Sequence, residues 1–230
     1  MVGQGVLQCC LADDRIDRIT LLSRRPQRDS LAVSSYDTAG GSTDRSRDQQ
    51  RLVDEIVLPD FADANTLGER LSGIEAAFYC AGAPPVGTAE DTYRHVTVAL
   101  TLAVARAYAA ANPGGRFLYV SGANSDVGSR IMPLRVKGEA EQALLALPIT
   151  TIMLRPGGIL PASGTRSPHG LLRAMHAVAA PLQGPLLRCL PSLATRNDVI
   201  GGAMVALARM PSPPRVVENR DINQLGGEGR

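Results

Sequence analysis

A chain of 230 residues with 44% hydrophobic content is long enough to bury one continuous core. Its formal net charge of +2, with no long basic block, argues against a nucleic-acid partner. Aromatic residues make up only 3% and Trp is absent, which excludes base-stacking or sugar-stacking platforms and predicts an aliphatic core.

The four cysteines, Cys9, Cys10, Cys80 and Cys189, lack zinc-site spacing and follow no secretory leader, so reduced thiols and a cytoplasmic setting are expected. The longest apolar stretch, 171–193, is broken by Arg173, His176, Gln183 and Arg188 and by Gly and Pro, and it fails as a membrane span. The histidines His95, His169 and His176 show no metal-ligand spacing, so no metal is expected.

In chain order, residues 3–12 carry apolar positions at helical spacing and stop at Asp13-Asp14. A short strand follows at 18–22, with Ser23-Arg24-Arg25-Pro26 at its carboxyl end. Residues 27–51 are rich in Ser, Asp, Arg, Gln and Gly, a composition that predicts a mobile loop. Strand 55–58 then leads to helix 62–71, strand 76–80 to a helix from about 92 to 111, and strand 116–120 through the loop 121–130 to helix 133–147. Strand 149–154 closes at Arg155-Pro156-Gly157-Gly158, and a final short strand is expected near 215–217. This alternation predicts a single α/β domain over 1–230 with a doubly wound, mostly parallel sheet. The apolar face of the 92–111 helix fits either core or a homodimer interface.

Four stretches, Leu21-Leu22-Ser23-Arg24-Arg25-Pro26, Val136-Lys137-Gly138-Glu139, Leu154-Arg155-Pro156-Gly157 and Glu218-Asn219-Arg220-Asp221-Ile222, together resemble the atypical short-chain dehydrogenase/reductases. The likeness is to Tat-interacting-protein-type oxidoreductases and NAD-dependent epimerase/dehydratases. Such chains open with a strand and a G-x-x-G-x-x-G loop, of which Met1-Val2-Gly3 resembles the last three positions. The resemblance implies a Rossmann sheet with residues 158–214 on its substrate side, and that the first strand and most of the glycine loop are missing, leaving Gly3 as the packing glycine. A start assigned at an internal methionine would account for this. Gly3 and Gly5 also fit ordinary glycines of a helix start.

The same resemblance implies NADP(H) rather than NAD(H), through Arg24 and Arg25 at the 2′-phosphate; a solvated basic turn is the alternative. It implies adenine contact at Asp60 and Phe61, where Asp60 equally suits a helix cap. Cys80, Ala81 and Gly82 would approach the cofactor ribose closely, and Pro156 and Gly157 the nicotinamide carboxamide, although small residues and Pro-Gly also serve packing and turns. Thr97 reads as a satisfied hydroxyl inside a helix. Lys137 matches the family lysine that binds ribose, with a surface ion pair to Glu139 or Glu141 as its alternative role. Four residues before it stands Pro133 where active relatives carry the Tyr proton donor. Ser121 or Ser125 would polarise a substrate carbonyl, with water or a histidine replacing the Tyr. Two activities fit this pattern. One is an NADP(H)-dependent oxidoreductase acting on a carbonyl or alcohol as its small-molecule substrate; the other is a dinucleotide-binding sensor or interaction module without catalysis.

Overall fold

A computed structural model describes residues 2–27, 53–160 and 193–227. The apolar spacing of the first segment produces helix α1 (Val2–Leu11), which buries Val6, Leu7 and Cys10. Strands β1 (Ile19–Ser23) and β2 (Val53–Val57) pair in parallel, Leu22 opposite Ile56. A 3-10 helical segment, α2 (Phe61–Leu71), follows; it starts at Asp60, whose carboxylate accepts the Ala62 amide, and kinks at Gly68, where φ is 45°.

Strand β3 (Ala76–Tyr79) leads into α3, a continuous helical run of Glu90–Arg94, a π-helical turn His95–Ala99, and Leu100–Ala111. Strand β4 (Arg116–Val120), helix α4 (Met132–Leu145) and strand β5 (Thr150–Arg155) form the next unit. Two short parallel strands, β6 (Gly158–Leu160) and β7 (Ala194–Arg196), precede helix α5 (Asn197–Arg209), strand β8 (Val216–Glu218) and helix α6 (Asn219–Gly227).

The larger sheet runs β3-β4-β5-β8 with every pairing parallel. Period-two alternation divides its side chains between two cores. Phe117, Tyr119 and Met153 join Ile56, Phe61, Tyr79, Tyr108 and Leu144 on one face. Leu118, Ile152, Leu154 and Val217 join Val6, Cys10, Ile200, Met204 and Ile222 on the other. Leu22 packs on the first core and Ile19 on the second, so β1 and β2 continue the same layer. This is the doubly wound α/β architecture that the strand-helix alternation predicts.

The pair β1-β2 is not hydrogen-bonded to the four-stranded sheet, and among the described residues β1 and β3 each pair with one strand only. The consequence is visible in burial: all five residues of β1 and three of the four in β3 are only half-buried, whereas the interiors of β4 and β5 are fully buried.

Several expectations are sharpened. Tyr93, Leu100, Val104 and Tyr108 are buried, so the apolar face of α3 is core. The glycine of close packing in α1 is Gly5, where an added Cβ would stand 2.6 Å from the Asn197 carbonyl oxygen on α5; at Gly3 it would meet Cys80 at an ordinary 3.6 Å. The short strands β6 and β7 and helix α6 are additions to the predicted elements. Residues 28–51 of the expected mobile loop, and residues 161–192 of the expected substrate side, lie outside the described residues, as do Cys189, His169 and His176. From the remainder of the expected substrate side, α5 buries Ile200, Ala203, Met204 and Leu207 completely and is a core helix.

Candidate active site

Parallel strands deliver their loops to one edge, and here the loops after β4 and β5 meet. The Ser121 amide donates to the Leu154 carbonyl at 2.8 Å, and the Ala123 amide to the Pro156 carbonyl at 2.8 Å. Ser121, 2% exposed, and Ser125, 4% exposed, lie with their hydroxyl oxygens 3.1 Å apart, and the Ser125 hydroxyl donates to the Gly122 carbonyl at 2.7 Å. Asn124 turns this loop with a φ of 60°, a left-handed conformation that asparagine tolerates.

Helix α4 brings Lys137 to the same place. Its ammonium donates to the Ser121 carbonyl at 2.6 Å. An added Cβ at Gly122 would stand 3.0 Å from Lys137 Nζ, so the lysine lies directly over a residue that must stay small. Burial of the ammonium lowers its pKa, opposed by the charge of Glu141. The alternative reading of Lys137 as a surface ion pair is therefore corrected. Glu139 pairs with Arg94 at 2.9 Å and Glu141 with Arg155 at 2.5 Å, which leaves the lysine to the backbone of the serine loop.

This arrangement has a measurable consequence. Because the native pKa of Lys137 lies below its ordinary value of 10.5, the unfolded chain binds the extra proton between the two values, and wild-type stability rises with pH across that window. In Lys137→Met this contribution disappears. Urea unfolding at a series of pH values should show the wild type gaining on the variant below about 10.5, across the interval between the two pKa values, and no further above it. A difference independent of pH would refute the buried-ammonium assignment.

Behind the lysine stands a second network. Arg155 Nη1 also reaches Glu218 at 3.2 Å. The Gly157 amide donates to Asn219 Oδ1 at 2.7 Å, while Asn219 Nδ2 donates to the Ala194 carbonyl at 3.0 Å. Thus α4, the end of β5, β7 and the start of α6 are tied together around Pro156 and Gly157. Neither Glu141 nor Asn219 was singled out as a site residue from the sequence. The available signals were an acidic residue one turn beyond Lys137 and an asparagine at the end of a strand.

On the neighbouring loops, α1 begins at the carboxyl end of β3, with Gly3 against Cys80. Cys80 is half-buried, and burial, first, and the nearby Cys10 push its thiol up to about 12. An added Cβ at Gly82 would meet nothing within 4 Å, leaving open space beside this strand end. Arg24 and Arg25 are exposed just beyond β1. Their turn is fixed by the Ser23 hydroxyl, which donates to the Arg25 carbonyl at 2.7 Å, and by Glu55, which accepts the Gln27 amide at 2.6 Å. Asp60 caps α2, as its alternative reading held, and the Phe61 ring is buried edge-on to Tyr79 with centroids 6.5 Å apart. Thr97 is buried and hydrogen-bonds the Tyr93 phenol. Pro133 lies in the first turn of α4 and supplies no hydroxyl.

A nicotinamide dinucleotide fits these residues. Helix α1 starts beside the end of β3, the space at Gly82 is open, a basic pair lies beyond β1, and an ammonium and two hydroxyls are fixed beyond β4. Among the described residues no cluster of His, Cys, Asp or Glu could hold a metal ion, and no helix is long and apolar enough to cross a membrane.

No family model matches the chain. Its backbone is similar to that of a candidate 2-deoxy-d-gluconate 3-dehydrogenase from Agrobacterium tumefaciens with bound NADP, at a TM-score of 0.59 and 17% identity over 96% of this chain and 92% of that one. It is also similar to a double mutant of the dTDP-glucose 4,6-dehydratase DesIV from Streptomyces venezuelae with NAD bound, at a TM-score of 0.59 and 13% identity over 99% and 76% of the two chains. In sequence it is 33% identical over 214 residues to the mitochondrial protein fmp52 of Emericella nidulans, covering 89% of this chain and 82% of the relative. The chain therefore carries a Rossmann-like α/β fold and belongs to the family of the mitochondrial protein fmp52.

Proposed function

We propose that this chain is an NADP(H)-dependent oxidoreductase of the atypical short-chain type, acting on a carbonyl or alcohol. The observation that carries this reading is the Lys137 ammonium held 2.6 Å from the Ser121 carbonyl, beside two buried serine hydroxyls. The nicotinamide ring, when bound, supplies or accepts the hydride. Lys137 would hold the ribose hydroxyls, and the 156–157 backbone, fixed by Asn219, would orient the carboxamide. Ser121 would donate a hydrogen bond to the substrate oxygen as negative charge develops there, with Ser125 orienting that hydroxyl across 3.1 Å. Since Pro133 offers no acidic group, water supplies the proton that completes the alcohol.

Arg24 and Arg25 would meet the 2′-phosphate. Fluorescence titration should then find NADPH binding more tightly than NADH. Exchanging both arginines for Glu should weaken NADPH at least about tenfold, equal to about 1.4 kcal/mol, and leave NADH nearly unchanged. Equal affinity for the two cofactors in the wild type would overturn this assignment. The placement of Pro133 favours one competing reading, a dinucleotide-binding sensor. Tight NADPH binding with no oxidation across a broad panel of aldehydes and ketones would select the sensor.

A further inference from the structure

Among the described residues six large hydrophobic side chains are exposed, and four of these, Val86, Val127, Ile131 and Leu193, lie on segments around the Lys137–Ser121 pair. Isolated exposed apolar residues are ordinary, but four of six on loops that adjoin one pair of side chains are less so. The four positions are fixed by separate contacts. The Val127 backbone packs on Gly138, the residue after Lys137. Ile131 caps α4, its carbonyl accepting the Leu134 and Arg135 amides, each at 3.1 Å. Leu193 lies against Gly157, and its carbonyl accepts the Gly158 amide at 2.8 Å. Val86 precedes Glu90, which pairs with Arg135 at 3.0 Å, while Arg135 donates to the Ser129 carbonyl at 3.1 Å; this brings the segment before α3 onto the loop before α4.

Asn124, Asp126 and Arg130 are also exposed on the loop before α4, and part of its polar complement is engaged. Asp126 accepts the Gly128 amide at 3.0 Å and the Ser129 hydroxyl the Ile131 amide at 3.1 Å. Two buried hydroxyls beside Lys137 and exposed aliphatic groups on the adjoining loops suit a molecule with one polar end and an apolar body.

We infer that the substrate is an aliphatic carbonyl compound, or the corresponding alcohol, whose medium-length hydrocarbon tail lies across Val86, Val127, Ile131 and Leu193 while its oxygen meets Ser121. This rests on the oxidoreductase reading for the reaction, but not for the binding. Hydride from the reduced nicotinamide would form the new C–H bond and water would protonate the oxygen, so the step balances as carbonyl to alcohol with NADPH oxidised to NADP.

The test uses the full chain and two readouts. Dissociation constants for butanol, hexanol, octanol and decanol are measured with and without NADPH, and kcat/KM is measured for the matching aldehydes. Burial of each added methylene should tighten binding by about two- to fourfold, and kcat/KM should rise in parallel. Val86→Asp and Ile131→Asp should flatten that slope and leave the NADPH titration unchanged. A flat or falling dependence on chain length in the wild type, or a slope unmoved by both variants, overturns the inference. Alcohol binding that steepens with chain length, without aldehyde turnover, supports the apolar site and counts against the oxidoreductase reading alone.

Discussion

Gly138→Val should lower the thermal midpoint by roughly 6–12 °C, the equivalent of about 3 kcal/mol in a chain of this size. A side chain at Gly138 would run into the main chain of Asp126 and Val127, with the Asp126 Cα only 3.0 Å from the added Cβ, and backbone cannot rotate away as a side-chain tip can. The cost therefore falls on the packing of α4 against the serine loop. That packing also places Lys137 on the Ser121 carbonyl, so cofactor affinity should fall with stability. Gly82→Ala is the matched control, because nothing lies within 4 Å of its added Cβ, and its midpoint should stay within about 1 °C of the wild type. Calorimetry on both variants decides the matter; an unchanged midpoint in Gly138→Val would mean that the two segments are not in contact.

Much of this architecture is legible in the sequence because it is local. Strand β4 spans the predicted residues, and α4 starts one residue before the predicted position, where Pro133 suits a first turn whose amides need no partner. What escaped is what depends on distant partners or on very short segments. β6 and β7 have three residues each and only one another for hydrogen-bonded neighbours, so no period can announce them. The π-helical turn at His95–Ala99 lies inside an unbroken helical pattern. Within the site, Lys137 and Ser121 were readable from the resemblance. The wiring behind them was not, since Glu141 is 14 residues from Arg155 and Asn219 is 62 from Gly157. A charged residue on a helix reads as exposed until its partner is seen, and so Glu141 looked like a surface group although it is 4% exposed.

Glu141→Ala should show what that hidden wiring contributes. The carboxylate side chain is 5% exposed and its Arg155 partner 22%, with Oε2 to Nη2 at 2.5 Å and Oε1 to Nε at 3.0 Å. Removing one member of a buried pair typically costs about 3–5 kcal/mol because the other charge is left desolvated. Arg155 keeps some solvent and a second carboxylate at Glu218, which brings the expected loss to about 2–3 kcal/mol. Arg155→Ala alone should be similarly damaging, and the double variant less damaging than the sum, the shortfall measuring the coupling. Glu141→Gln, which retains the shape and one acceptor, should lose less than Glu141→Ala. Both changes also withdraw the negative charge that holds up the Lys137 pKa, so the lower edge of the pH window in which stability rises should move to lower pH. A merely structural role for Glu141 would lower stability and leave that edge where it is. A displaced edge in Glu141→Gln, where packing is conserved, would place the ion pair and the lysine in one electrostatic unit.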